Sequence, residues 1–571
     1  MSTQYDVVIA GGGPVGLFLS CELASTGAAV VVLEREIDPK SPWKQLPLGV
    51  RGINTRSVES LYRRGLLQEL EESAKAGPVV SEMKFLGHFG GILFDGAKFD
   101  RSRFPYVLEG PSLAARTTSL DSVEAVLAER ARELGVEIRR GRTVTSILSQ
   151  DKTSVTVEAS VQGNHSDGVD SKREEVRGRW LVGCDGGRSF VRKAAGFEFV
   201  GTEPRFTVYS IQGEIENIEK LKQGFAYTSQ GLYVLPPPTG WGQLGIEHSD
   251  GKIIHLMDGD GGAFDRSQEL SLGHLQEVLE RVTERQDVRI TKVSRARTFT
   301  DRTKQTTQYR RGRIFLAGDA SHIHPPLGGQ GLNLGLEDAI NLGWKLGAAI
   351  RREKKGGAEK EPEVEVEVEV DALLSTYEQE RKPFGTMVME YTRAQAAALV
   401  PDEHGRAVRT ILKELIDTRD GVTHLVGRAW GLANRYPLSN SAGEGEGVSG
   451  FDHPVIGRSV PDFVLADGSR FGPLMARSKG LLVHFDFEDK PEQDGKSEIA
   501  CNSDKLRALL EGGEGFKERV EYLSLRAKPE NTCGLAAFLV RPDGIVAWAV
   551  DKDSELNYEA AKEALGRWLA F

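Results

Sequence analysis

Residues 5–34 read YDVVIAGGGPVGLFLSCELASTGAAVVVLE. The run Tyr5–Ala10 is short, apolar and rich in β-branched residues, the pattern of a strand buried on both faces. It breaks at once into Gly11-x-Gly13-x-x-Gly16, passes through a stretch of helical composition to Thr26, stops at Gly27, and resumes as an apolar run that ends on Glu34. Strand, glycine turn, helix and strand make a βαβ unit. Gly11 permits the tight turn, Gly13 lets the backbone approach a pyrophosphate at the helix N-terminus, and Gly16 lets helix and strand pack closely. Glu34, 18 residues beyond Gly16, stands where a carboxylate accepts ribose hydroxyls. The stretch predicts an α/β, Rossmann-like domain that holds a dinucleotide.

A second pattern match, Gly445-x-Gly447-x-x-Gly450, follows no strand and precedes no helix, so it reads as a linker. With one working glycine turn, one dinucleotide is resident and any nicotinamide visits transiently.

The rest of the composition narrows the class. The chain has 571 residues, 39% apolar and 27% charged, enough for three or four globular modules. Its 65 glycines exceed the average share, as tight backbone approaches require. The formal charge of −10, without a dense basic run, argues against nucleic acid as a partner. Four scattered cysteines (Cys21, Cys184, Cys501, Cys533) form neither a disulfide framework nor a CxxC pair, and Cys184 falls in an apolar strand where packing is its default role. No apolar stretch reaches 18 residues and no leader-like segment opens the chain, so membrane insertion is not expected and the location expected is cytoplasmic.

The organisation follows from changes of pattern. Residues 1–198 and 299–352 read as two parts of the dinucleotide domain. Residues 199–298 turn β-rich, with FTVYSIQGEI, GLYVLPPP and WGQLGIEH as short alternating runs, and predict an inserted sheet. Residues 353–371 contain Glu-Pro-Glu-Val-Glu-Val-Glu-Val-Glu-Val; as a strand it would crowd every glutamate on one face, so it is expected to be a solvated loop whose removal (356–370) leaves activity intact. Residues 372–438 return to helix, with Tyr377–Pro383 ending its first part; 439–450 are a glycine-rich linker, and 451–571 alternate strands and helices as a small α/β domain.

Two further motifs carry chemistry. One is Val182-Gly-Cys-Asp185-Gly-Gly-Arg188-Ser189, a strand running into a turn whose serine can cap a helix. The other runs from Arg313 to Lys345 and contains Gly318-Asp319, His322-Ile-His324-Pro-Pro326 and Gln330-Gly331-Leu332-Asn333. His322 and His324 form an HxH pair, but with no third ligand in a metal pattern no metal is expected.

Together the three motifs resemble the p-hydroxybenzoate hydroxylase-like, class A FAD-dependent monooxygenases over residues 5–350 and again over Leu373–Pro383. Arg458-x-x-Pro-Asp-Phe-x-Leu and Val540-Arg-Pro-Asp-Gly resemble the thioredoxin-like C-terminal domain of the family's larger members; without a CxxC, that domain is not expected to be redox-active. The resemblance implies a non-covalently held FAD, with the glycine turn and Glu34, with Arg35 beside it, on the ADP half and Asp319 on the ribityl chain. It implies that Gly331, Leu332 and Asn333, as a helix N-terminus, face the flavin's anionic edge. Asp185 and Arg188 carry over as FAD and nicotinamide contacts, Arg116 as a ribityl or phosphate contact, and Arg51 lies near the position of an arginine the family carries after its second strand. Pro326 resembles the residue whose carbonyl borders the substrate hydroxyl.

The activity so implied is oxygenation with NADPH or NADH and dioxygen, through a flavin C4a-hydroperoxide, hydroxylating a phenolic or polyketide-like small aromatic substrate. The inserted sheet should roof the ring, and Tyr209, Tyr233 and Arg205 are the candidates to polarise its hydroxyl. Epoxidation or Baeyer–Villiger-type insertion, or a non-catalytic flavin-binding interaction role, stay open as alternatives; a flavin halogenase ranks below them, because no WxWxIP-like stretch occurs. A homodimer also stays open.

Overall fold

The computed structural model describes residues 4–46, 48–73, 84–113, 115–162, 172–236, 251–359, 362–438, 453–487, 498–511 and 516–570. The strand Gln4–Ala10 lies at the centre of an eight-stranded sheet. It pairs in parallel with Val30–Glu34 on one side and Arg173–Gly183 on the other; Glu137–Arg140 and Ile314–Leu316 extend the parallel set outward. Runs of valine and leucine suit these strands because both their faces are covered. One face is packed by the helices Pro14–Ala24, Leu120–Glu133 and Gln330–Glu359. This is the Rossmann-like fold read from residues 5–34.

A separate five-stranded antiparallel sheet is ordered Gly224–Tyr227, Gly231–Leu235, Lys252–Asp258, Thr207–Glu216, Arg289–Thr300. The helix Leu272–Thr283 covers one of its faces, burying Leu275, Val278, Leu279 and Val282 against Tyr209, Ile211, Tyr233 and Leu256. The run WGQLGIEH and the linker 439–450 lie outside the described residues.

The Glu/Val segment corrects an expectation. From Glu363 it is the first part of a helix that runs unbroken to Leu399 and straight through Pro383. A residue repeat of two returns to the same helix face every fourth position. Thus Val366 and Val370 are buried in the core beside Leu374 and Tyr377, while Val364 and Val368 are 70% and 63% exposed. The glutamates that crowd in a strand fan out around a helix, and Glu369 and Glu367 meet Arg352 and Lys152.

The C-terminal unit has a four-stranded sheet ordered Val520–Ala527, Gly480–Phe487, Leu535–Val540, Val546–Asp551, with the first pair parallel and the rest antiparallel. The helices Glu498–Glu511 and Tyr558–Leu569 accompany it, giving the thioredoxin-like arrangement. Its core is continuous with Leu334, Trp344, Phe384 and Val388 of the long helices.

Polar links seal that junction. Arg541 is fully buried and bonds Glu380 at 2.7 and 2.8 Å and Asp543 at 2.5 Å. Lys345 reaches the same Glu380 at 2.9 Å. Arg64 bonds Glu22 and the carbonyls of Met475 and Pro542. The Arg-Pro-Asp-Gly turn read as a domain signature is therefore a docking element.

Candidate active site

The glycine turn is built as its spacing requires. Gly11 has φ +107° and a Cβ there would run into the carbonyl oxygen of Cys184; Gly16 packs against the Gly11 carbonyl. Gly13 has nothing within 4 Å of where a Cβ would be, so the first turn of the helix Pro14–Ala24 faces open space. The free N–H groups of that turn suit a pyrophosphate. Glu34 accepts a hydrogen bond from the Gly12 N–H at 2.5 Å, which fixes its carboxylate beside the turn.

At the far end of the sheet, Gly318 N–H donates to Asp338 at 3.0 Å, leaving Asp319 exposed, with no hydrogen bond to the described residues. A free carboxylate beside open space suits a polyol chain. Arg51 lies close enough for its charge to be felt by Asp319. Asn333 spends its side chain on the Asn54 N–H and the Gly52 and Gly329 carbonyls. It therefore locks the strand Val50–Ile53 onto the start of the helix Gln330–Glu359, and what Gly331, Leu332 and Asn333 can offer a flavin is the backbone N–H groups of a helix N-terminus.

Below Asp319 lies a buried charge network. His322 contacts Asp338 at 2.7 Å, Arg381 donates to Asp338 at 2.8 Å, and Arg381 also reaches Glu337 and the Tyr436 hydroxyl. Burial would raise the Asp338 carboxyl, but His322 and Arg381 overcome it and hold it below its ordinary range. His324 points elsewhere: its Nδ1 meets the Pro325 carbonyl at 2.9 Å, and its Nε2 is buried without a partner among the described residues. Burial pushes its pKa down, so it is a neutral imidazole with Nε2 open as an acceptor. Among the described residues no group of His, Cys, Asp or Glu is arranged to hold a metal.

The inserted sheet has two buried faces, and the tyrosines expected at the roof lie on the one that its own helix covers. Tyr209 and Tyr233 lie on the face under the helix Leu272–Thr283; the Tyr209 hydroxyl meets His274 at 3.1 Å and Tyr233 accepts from the Lys222 N–H. Arg205 is exposed, and its backbone N–H donates to Asp301. Tyr209 and Tyr233 are thus on the covered face, opposite Val208 and Ser210, because residues one apart in a strand point to opposite faces, and Arg205 lies exposed ahead of the strand Thr207–Glu216.

The opposite face carries Val208, Met257 and Phe299 in one row and Ser210, His255 and Arg297 in the next. It packs toward Leu327 of the Pro325–Leu327 loop and toward Ala396 and Leu399. Arg297 stacks over Trp43, 5.2 Å from the ring centroid, and its charge is felt at Arg51. Ser210 Oγ, Arg297 Nε and the hydroxyl of Tyr391 are buried without partners among the described residues. Burial and then Arg297 push His255 down to about 4, so it too is neutral. Orphaned polar atoms in an otherwise apolar wall fit a ligand with its own hydrogen-bonding groups. Nothing in the sequence separates Ser210 from Tyr209; only the helix that covers one face does.

Three other expected contacts have their side chains committed elsewhere. Asp185 accepts from Ser189 Oγ and from the Phe190 and Val191 N–H groups, capping the helix Phe190–Ala194. Arg116 bonds Glu71 and the Pro111 carbonyl. Arg35 is exposed and pairs with Glu36. Arg188 is exposed, near Arg266. Pro326 is exposed, and its carbonyl accepts from Gly329 N–H at 3.3 Å.

A Rossmann-type cleft with a separate roof sheet and a free carboxylate for a polyol defines a flavin-binding oxidoreductase. Family comparison narrows the class. Residues 4–392 match the FAD binding domain, and residues 453–570 match the aromatic-ring hydroxylase C-terminal domain. A monooxygenase of Claviceps purpurea is 38% identical over 571 residues, covering 100% of this chain and 98% of that protein. The 12-dehydrotetracycline 5-monooxygenase/anhydrotetracycline 6-monooxygenase of Streptomyces rimosus is 34% identical, covering 99% of each. The structure of anhydrotetracycline hydroxylase from Streptomyces rimosus superposes with a TM-score of 0.76 at 30% identity, covering 100% of each chain. The chain belongs to the FAD-dependent aromatic-ring hydroxylase family. It is an FAD-dependent monooxygenase, with NAD(P)H as the family's electron donor. Among the described residues no helix is long and apolar enough to cross a membrane.

Proposed function

We propose that the chain hydroxylates a phenolic, polyketide-like aromatic compound, using dioxygen and NAD(P)H, in the space between the Val208/Ser210 face of the inserted sheet and the loop 322–331. The observation that carries this reading is the apolar wall interrupted by unpartnered buried polar atoms: Ser210 Oγ, Arg297 Nε and the Tyr391 hydroxyl, with His324 Nε2 beyond. FAD, when bound, supplies the electron and oxygen-transfer chemistry.

The chain's own residues then have separable tasks. The turn Gly11–Gly16 and Glu34 hold the ADP half, and Asp319 binds the ribityl hydroxyls. The N-terminus of the helix Gln330–Glu359 presents N–H groups to the anionic edge of the ring. Val208, Met257, Phe299 and Leu327 exclude water from above. Ser210 and Tyr391 orient the substrate through its hydroxyl groups, and neutral His324 accepts a hydrogen bond from a phenol at Nε2, which raises the electron density of the ring.

The test is anaerobic reduction of the bound flavin by NADPH with a panel of simple phenols, polyketide phenols and anthraquinones, followed by aerobic product analysis. Acceleration by one class with formation of its hydroxylated product supports the reading; bound FAD with no substrate-stimulated reduction refutes it. Ser210→Ala and Tyr391→Phe should lower the yield of hydroxylated product per NADPH consumed, whereas Tyr233→Phe, on the outer face, should leave that ratio unchanged.

A further inference from the structure

A cavity of about 300 Å³ lies where the dinucleotide domain meets the C-terminal domain. Its walls are the helix Thr55–Arg63, the loop 103–107, the turn 431–434 and residues 454–459, so it exists only in the docked, full-length chain. Phe104, Tyr106 and Leu432 make an apolar, partly aromatic lining. Arg56, Arg103 and Arg458 line it, and Glu59 is the one carboxylate-bearing residue among its described lining.

That carboxylate is already spent. Glu59 takes Arg56 at 3.0 Å, Arg63 at 3.7 Å and the Ser459 hydroxyl at 2.5 Å. Arg103 reaches out of the cavity to Asp420 at 3.4 Å. Arg458 has one hydrogen bond, from Nε to the Pro454 carbonyl, and no carboxylate partner among the described residues. Arg56 Nε is buried with no partner among the described residues. Burial, and then the nearby charge of Arg435, lower the pKa of Arg458, the signature of a cation that lacks its counter-charge.

We propose that this junction cavity is a second binding site, for a small aromatic monoanion whose carboxylate or phenolate sits on Arg458 and Arg56 and whose ring lies against Phe104 and Tyr106. Arg56 is compensated by Glu59, with Glu337 and Asp543 also acting on it, whereas the partly desolvated Arg458 guanidinium has no carboxylate partner among the described residues, and that favours an anion. The apolar remainder of the lining favours a ring over an inorganic ion. The volume stands at the small end of ligand sites, which suits one or two rings and excludes a dinucleotide. A smaller cavity shares Gly431 and Asn434 with it and extends past Arg428 to Asn54 and Gln330, at the cleft end of the helix Gln330–Glu359. The two sites are therefore neighbours, and an aromatic anion held at the junction lies next to the wall of the flavin cleft. The charge and shape of the junction cavity favour this ligand whatever substrate the cleft takes.

The experiment is calorimetric titration of the FAD-loaded, full-length enzyme with 2-naphthoate and with its uncharged analogue 2-naphthamide. Expected are saturable naphthoate binding, naphthamide weaker by about tenfold or more, and a loss of about tenfold or more in naphthoate affinity for Arg458→Gln. Ala433→Trp, which fills the cavity without altering its charges, should give the same loss. Flavin content and melting temperature of both variants are recorded to establish that they are folded. The proposal is overturned by the absence of saturable binding, by equal affinity for the two probes, or by wild-type affinity in the folded Ala433→Trp variant, which would place the probe in the cleft instead. No turnover is measured, so failure here leaves the oxygenase reading untouched.

Discussion

Replacing Arg541 with methionine should loosen the C-terminal domain, and the structure says by how much and how the loss can be recovered. The buried cluster contains two cations, Arg541 and Lys345, and two anions, Glu380 and Asp543, so it is neutral as built. Arg541 is 0% exposed and its partners are almost equally buried. Arg541→Met leaves Glu380 with Lys345 and Asn341, but leaves Asp543 as a buried carboxylate without a cation. Stranding one partner of a buried pair costs about 3–5 kcal/mol. For a unit of this size the loss corresponds to a fall in melting temperature on the order of 10 °C. Adding Asp543→Asn restores neutrality, and the double variant should regain about 2 kcal/mol or more relative to Arg541→Met alone. Trp344 and Trp568 lie 5.2 and 4.5 Å from the Arg541 guanidinium, so tryptophan fluorescence during unfolding reports on the junction directly. Simple additivity of the two single losses, or a single-variant loss below about 1 kcal/mol, would refute the view that this cluster fastens the domain.

Gly11→Ala should be recovered with at least about tenfold less FAD, because a Cβ there meets the Cys184 carbonyl at φ +107°; Gly27→Ala, also at positive φ but with nothing within 4 Å, should keep its flavin. Flavin absorbance per protein decides between them. In denaturant unfolding, Val370→Ala should cost about 2 kcal/mol and exposed Val368→Ala less than about 0.5. Deleting 356–370 should destroy the packing of two long helices rather than trim a loop. The junction should also weaken in acid. Although burial alone would raise it, Arg541 and Lys345 hold Glu380 at about 2, below its ordinary 4.5. A depressed carboxylate contributes stability above its unfolded pKa and loses it as pH falls from about 4.5 toward 2. Lys345, pushed by burial to about 8 from 10.5, has the opposite consequence in the alkaline range, where stability rises as pH climbs from about 8. Melting curves against pH test both slopes, and Glu380→Gln should flatten the acid one.

The dinucleotide turn was legible in the sequence because its demands are local. The positive φ of Gly11, the Gly11 carbonyl in the way of a Cβ at Gly16 and the carboxylate at the strand end all lie within one βαβ unit. The roof was not legible to the same depth. The strand Thr207–Glu216 alternates, and both of its faces are buried: Tyr209 and Ile211 under a helix, Val208 and Ser210 over the cleft. Alternation separates the two sets without saying which meets the flavin, and the tyrosines with the more suggestive chemistry belong to the covered face. The Glu/Val repeat misleads for a related reason. A period of two is read as a strand, yet its every-fourth subset is also a helical stripe, and the neighbouring helix Gln330–Glu359 supplies the apolar surface that selects the helix.

Distance in sequence hides the most consequential pairing. Glu380 and Arg381 are adjacent, but they serve different domains. Glu380 takes Arg541 of the C-terminal unit, while Arg381 takes Asp338, whose other oxygen holds the Gly318 N–H beside Asp319. One turn of one helix thus fastens the C-terminal domain and fixes the loop that carries the free carboxylate of the cleft. Pro383 sits two residues on, inside the same unbroken helix. Pro383 removes the N–H that the Gln379 carbonyl would accept, and the buried ion pairs of Glu380 and Arg381 hold the helix through that gap. The segment Tyr377–Pro383, which reads in the sequence as a helix end, is instead the point where the flavin domain and the C-terminal domain are tied to each other.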